Sequence, residues 1–66
     1  MNVTINGVAH ELPSGATVAE AVKTLTETRN GVAVAVNGEV VSRGAWDSTA
    51  LADADAVEVL TAVQGG

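Results

Sequence analysis

Two Asn-Gly pairs, Asn6-Gly7 and Asn37-Gly38, constrain this chain more than any other feature, because each separates two short β-prone runs by only two residues. A two-residue type I′ turn needs φ > 0 at both central positions, which asparagine tolerates and glycine adopts freely, and its twist matches that of the strands it joins. Asn2-Val3-Thr4-Ile5-Asn6 alternates polar and apolar, which predicts a half-buried strand with Val3 and Ile5 inward that returns as Val8 to Leu12. The most β-prone run, Val32 to Val36, returns in the same way as Glu39 to Arg43. A hairpin alone is marginal in water, so both need a common cover.

The cover is a helix. Pro13-Ser14-Gly15 breaks the second strand, and Thr17-Val18-Ala19-Glu20 reads as a capping box, with Thr17 as N-cap and Glu20 reaching back to its N–H. The helix is predicted over Val18 to Thr28, with Val18, Ala21, Val22 and Leu25 as its packed stripe. Glu20, Lys23, Thr24 and Glu27 then face water, Lys23 and Glu27 as a solvated pair, and Asn30-Gly31 supplies the left-handed residue that ends the helix. After Arg43 the period is lost, and Gly44 to Leu51 reads as a loop with a short helical turn, Trp46 and Leu51 closing the open end of the core. Tryptophan is also a frequent binding anchor, but in so small a chain core lining is the preferred reading of Trp46.

Candidate chemistry within the domain is thin. His10 has no cysteine or second histidine to join it and is read as an ordinary strand residue. Asp53 and Asp55 have metal-like spacing but no third ligand, and are read as turn acids before a strand, so no metal and no bound cofactor is expected. The absence of cysteine excludes a disulfide framework and a nucleophilic thiol within these 66 residues. A net charge of −5 and the lack of a basic, aromatic patch argue against nucleic acid and for a basic protein surface as partner. The apolar runs are too short to span a bilayer, so no membrane association and a cytoplasmic location are expected.

The last predicted strand, from Ala56 to Val63, completes the order ββαββ-loop-β. Two hairpins, one helix and a terminal strand able to slot between the hairpins make an α+β, β-grasp (ubiquitin-like) arrangement. A mixed sheet then packs on the helix, with the terminal strand central and parallel to the first. The reading is one domain over 1–63 and a flexible diglycine tail over 64–66. Alternation puts Val57, Val59 and Thr61 on the core face and Leu60 and Ala62 on the open face, beside Ala33 and Ala35 of the third strand. Four apolar positions on adjacent strands form a contiguous patch, the kind that marks protein contacts. Gln64-Gly65-Gly66 is read as a tail narrow enough to thread a partner's active site, reaching at most about 10 Å beyond the strand when extended. Its terminal carboxylate is unhindered but resists nucleophiles until it is converted to an acyl derivative. The chain has no phosphate-binding loop and no catalytic constellation, so ATP and catalysis have to come from another protein.

Asn37-Gly38-Glu39-Val40-Val41, Arg43 with Trp46 three positions on, Leu51-Ala52-Asp53 and Val57-Glu58-Val59-Leu60-Thr61-Ala62-Val63-Gln64-Gly65-Gly66 together resemble the sulfur carrier family of thiamin biosynthesis (ThiS), over essentially the full length. Two departures stand out: Ser42 where the family often has proline, and Ala54 where glycine is usual. The resemblance implies a non-enzymatic carrier whose Gly66 carboxylate is adenylated by a ThiF-like, ATP-dependent enzyme. A sulfur donor such as a cysteine desulfurase then converts it to a thiocarboxylate, which passes sulfur to a ThiG-like thiazole synthase. Gly65 and Gly66 match the family's reactive tail. Three alternatives stay open: a sulfur carrier for molybdopterin or another thiolation route, a ubiquitin-like modifier joined to lysines, and a non-catalytic interaction module in which the tail is idle.

Overall fold

Both Asn-Gly pairs turn the chain as their chemistry requires: φ is 52° and 82° at Asn6 and Gly7, and 52° and 84° at Asn37 and Gly38. The computed structural model describes residues 1–26 and 31–61. Strands β1 (Asn2–Ile5) and β2 (Val8–Glu11) form the first hairpin, with Ile5 opposite Val8 and Asn2 opposite Glu11. Strands β3 (Val32–Val36) and β4 (Glu39–Val41) form the second, with Val36 opposite Glu39 and Ala35 opposite Val40. The last strand, β5 (Ala56–Thr61), lies between the hairpins in a five-stranded sheet of order β2-β1-β5-β3-β4. It runs parallel to β1 and antiparallel to β3, which is the β-grasp topology expected from the order of elements.

Helix α1 is shorter than its sequence pattern suggests. It spans Val18–Lys23, begins in the expected capping box, with the Thr17 N–H donating to Glu20 Oε1 at 3.3 Å, and ends at a Thr24 C-cap. The Thr24 hydroxyl donates to the Ala21 carbonyl at 2.7 Å, and the Thr24 and Leu25 N–H groups take carbonyls three residues back, at 3.2 and 3.0 Å. A β-branched hydroxyl residue that competes for the helix's own carbonyls tightens and closes the last turn. Val18, Ala21 and Val22 are buried as predicted, but Leu25, past the cap and freed from helical period, is 47% exposed rather than part of the stripe. Gly31 has positive φ (70°) yet leads into β3, and the helix is already closed at Thr24, in right-handed backbone. Glu27, Thr28 and Asn30, with the proposed Lys23–Glu27 pair, lie outside the described residues.

So short a helix covers little of the sheet, and a 3₁₀ helix over Arg43–Ser48 completes the cover. This overturns the strand expected to continue to Arg43: β4 stops at Val41, and Ser42, in extended backbone, caps the 3₁₀ turn. Trp46 is fully buried, and its indole N–H donates to the Val41 carbonyl at 3.0 Å, so the ring fills the core without stranding its polar atom. With Leu12, Ala16 and Leu51 it closes the end of the core whose centre is Val3, Ile5, Val34, Val57 and Val59. Backbone bonds from Val18 to Thr49 (3.0 Å) and from Leu51 to Ala16 (2.8 Å) tie the segment after the 3₁₀ helix to the start of α1.

The two aspartates before β5 act on backbone, as expected of turn acids. Asp53 Oδ1 accepts the Asn2 N–H at 2.7 Å, and Asp55 Oδ2 accepts the Ala52 N–H at 2.8 Å. Between them Ala54 sits at φ 73°, its N–H bonded to the Asn2 carbonyl at 2.7 Å. That left-handed conformation costs a residue with a Cβ about 1–2 kcal/mol, of which glycine's greater freedom in the unfolded chain returns about half. Ala54→Gly is therefore expected to stabilise the protein by about 0.5–1 kcal/mol, read as a higher urea midpoint at unchanged slope. A lower midpoint would show that the turn carries no such strain.

Candidate functional site

The candidate site is built on β5, and it begins with how that strand is held. The β1 ladder provides Thr4 N–H to Asp55 O at 3.0 Å and Asn6 N–H to Val57 O at 2.9 Å, and then β1 ends. The Asn6 side chain carries the ladder one step further. Its Oδ1 accepts the Val59 N–H at 2.8 Å and its Nδ2 donates to the Val59 carbonyl at 3.1 Å, a carboxamide standing in for a peptide unit. Asn37 does the same at the other end of the strand. Its Oδ1 accepts the Ala56 N–H at 3.0 Å, its own N–H donates to the Ala56 carbonyl at 2.8 Å, and its Nδ2 donates to Asp55 Oδ1 at 2.9 Å. Both turn asparagines thus grip β5, one from each hairpin. Sequence reasoning assigned them only to turns.

Alternation along the gripped strand sets its two faces. Val57 and Val59 are buried against the core, while Glu58 and Leu60 point to the open face, Leu60 72% exposed. Register puts Ala33 opposite Leu60 and Ala35 opposite Glu58. Ala33 is exposed and Ala35 half-buried, so three of the four residues expected on the open face are neighbours there. Ala62, the fourth, and the tail residues Gln64, Gly65 and Gly66 lie outside the described residues. Val40 also belongs to this face: it is paired with Ala35 and 82% exposed. Its place was available from the sequence, because a two-residue turn at Asn37-Gly38 fixes the register that sets Val40 beside Ala35. Ala33, Val34, Ala35, Val40, Glu58 and Leu60 line a shallow depression of about 90 Å³ with almost wholly apolar walls.

His10 is a half-buried strand residue opposite Val3. Among the described residues no three His, Cys, Asp or Glu side chains gather as metal ligands would, and no helix is long and apolar enough to cross a membrane.

The ThiS family model matches residues 3–66. The chain belongs to the ThiS family. It is 29% identical over 66 residues to the sulfur carrier protein ThiS of Escherichia coli strain K12, with all of both chains covered. A crystal structure of the thiamine biosynthesis protein ThiS from Geobacter metallireducens is 38% identical and superposes with a TM-score of 0.79, covering 92% of this chain and 93% of that one. A solution structure of a thiamine biosynthesis protein from the same organism gives 0.74, over 91% and 81%. The ThiS match covers all five strands from Val3 onward, with Val40 and Leu60 on the open face and both asparagines that grip β5.

Asn6→Gly keeps the positive φ of the turn and removes the grip, while adding glycine's greater freedom to the unfolded chain. It is expected to cost about 1–2 kcal/mol in denaturant unfolding, the range for hydrogen bonds lost to partly buried backbone, and to speed hydrogen exchange most at the Val59 amide. Unchanged exchange at Val59 would mean that water replaces the carboxamide.

Proposed function

We propose that this protein carries sulfur for the thiazole ring of thiamin on its own C-terminus. The observation that supports this best is the extent of the family match, which runs through the gripped strand to Gly65 and Gly66. A 38% identical relative described as a thiamine biosynthesis protein and a 29% identical one described as a sulfur carrier favour the same reading. The domain over 1–63 serves as holder and the tail over 64–66 as the reactive part.

Chemistry then proceeds on Gly66 in a partner's active site. The terminal carboxylate, ionised at neutral pH, is a poor acyl donor. Attack of one carboxylate oxygen on the α-phosphorus of ATP expels pyrophosphate and leaves an acyl-adenylate, whose AMP is a good leaving group. A persulfide-type donor, fed by a cysteine desulfurase, displaces AMP to form an acyl disulfide, and a second thiol then attacks the donor's sulfur, forming a disulfide with the donor and releasing the C-terminal thiocarboxylate. That sulfur is the nucleophile handed to a thiazole synthase. The carrier contributes no catalytic group; glycines at 65 and 66 let the chain pass a channel too narrow for side chains. The adenylating enzyme docks on the open face around Ala33, Ala35, Val40, Leu60 and Ala62 and so receives the tail in a fixed direction.

Incubation with the thiamin-pathway adenylating enzyme, ATP and a sulfide source is expected to raise the intact mass by the difference between sulfur and oxygen. Deleting Gly66 is expected to abolish that gain with no loss of thermal stability. Lysine conjugates formed without a thiocarboxylate would instead identify a protein modifier. Leu60→Glu tests the docking face separately: at a 72% exposed position it is expected to change stability by no more than about 0.5 kcal/mol. It is also expected to raise the KM for adenylation at least ten-fold. An unaltered KM would remove the open face from the reading while leaving the carrier chemistry in place.

A further inference from the structure

Glu58 is the only charged residue among the six that line the depression on the open face. Glutamate is a poor strand former, and this one occupies the middle of the central strand, where a β-branched residue would serve the sheet better. Directly across the ladder stands Ala35, with no polar atom to offer, and among the described residues no hydrogen bond or ion pair engages the Glu58 carboxylate. The other described acids near the ends of β5 are occupied: Asp55 binds Asn37 and Ala52, and Asp53 binds Asn2.

The depression is therefore lined by the small apolar residues Ala33 and Ala35, by the aliphatic Val40 and Leu60, and by one acidic residue, Glu58, whose carboxylate adds almost nothing to the apolar walls. At about 90 Å³ it has room for one side chain and not for a helix or a strand. Only two side chains match aliphatic walls with one acidic residue among them along their own length: lysine and arginine, which lay a methylene stem on apolar surface and keep a cationic head free. The field of a chain with net charge −5 draws such a head toward it.

We infer that this depression receives one basic side chain of the activating enzyme, its stem on Ala33, Ala35, Val40 and Leu60 and its cation paired with the Glu58 carboxylate. The inference rests on the docking face assigned above and adds the chemistry by which that face is recognised. Division of labour follows from it. Apolar contact supplies the affinity that does not depend on salt, and the carboxylate supplies register and steering along the direction in which the tail must enter.

Glu58→Gln keeps size and hydrogen-bonding capacity and removes only the charge. Titrated against the purified thiamin-pathway adenylating enzyme of the same organism, it is expected to bind about ten-fold more weakly than the parent protein at low salt, with a clearly flatter dependence of log Kd on log salt. Glu58→Asp is expected to recover most of the salt dependence, and both variants are expected to unfold at the parent's urea midpoint. If Glu58→Gln leaves affinity and salt dependence unaltered while Leu60→Glu weakens binding, the face docks its partner without a cation and the inference is overturned. If neither substitution changes binding, the docking face itself is wrong and the inference falls with it. Thiocarboxylate formation by the parent protein reports on the carrier reading independently of both outcomes.

Discussion

Everything in this fold depends on the last strand being held between the two hairpins. Each hairpin forms locally, but two- and three-stranded pieces without a shared face are marginal, and the only segment that joins them into one sheet is β5. Because β1 and β5 come from opposite ends of the chain, that joining carries the largest loop-closure cost in the molecule. The two turn asparagines offset part of it. The left-handed backbone that an Asn-Gly turn demands also aims each carboxamide sideways, at Val59 from Asn6 and at Ala56 from Asn37. One residue type at one position thus satisfies the turn and fastens the neighbouring strand, and glycine, which suits the turn as well, would do only the first.

The core shows the same economy. A six-residue helix is about 9 Å long and brings only Val18, Ala21 and Val22 to the sheet. Trp46 makes up the shortfall, since one indole fills as much space as two small aliphatic residues and arrives on a 3₁₀ turn that needs few residues to reach the helix. The bonds between the segment 49–51 and the start of α1 lock those two covers together, so that helix, 3₁₀ turn and sheet form one packed unit.

Near-neighbour effects were legible in the sequence. Period-2 alternation identified Val3, Ile5, Val57 and Val59 as core, Asn-Gly pairs identified both hairpins, and Thr17 with Glu20 identified the start of the helix. Its end was not legible, because propensity favours continuation past Lys23 while the Thr24 hydroxyl, bonding to Ala21, closes the turn. The asparagine grips were not legible for another reason: Asn6 and Val59 are 53 positions apart, and only the assembled sheet brings them together. Val40 lay between these cases, deducible from turn length but overlooked because Val-Val reads as uniformly apolar until the register is written out. Ala54 illustrates a local signal: at the position where the resemblance leads one to expect glycine, the alanine adopts the left-handed backbone that glycine favours.

The two faces of β5 answer to different demands, and the structure keeps them apart. Core-face valines fix the strand, so their replacement is felt as unfolding; open-face residues contribute almost nothing to stability and are free to be chosen for a partner. In the proposed carrier role that separation lets a partner recognise and release the surface while the strand stays in place, which is the need the edges of β5 have to meet. The β1 ladder is prolonged by Asn6 as far as Val59, and on the other side Val32 pairs with Thr61, the last register pair among the described residues. Support therefore reaches Val59 along the β1 edge and Thr61, the last described residue, along the β3 edge. On the reading proposed above, chemistry at the C-terminus relies on that mechanical arrangement more than on any single side chain.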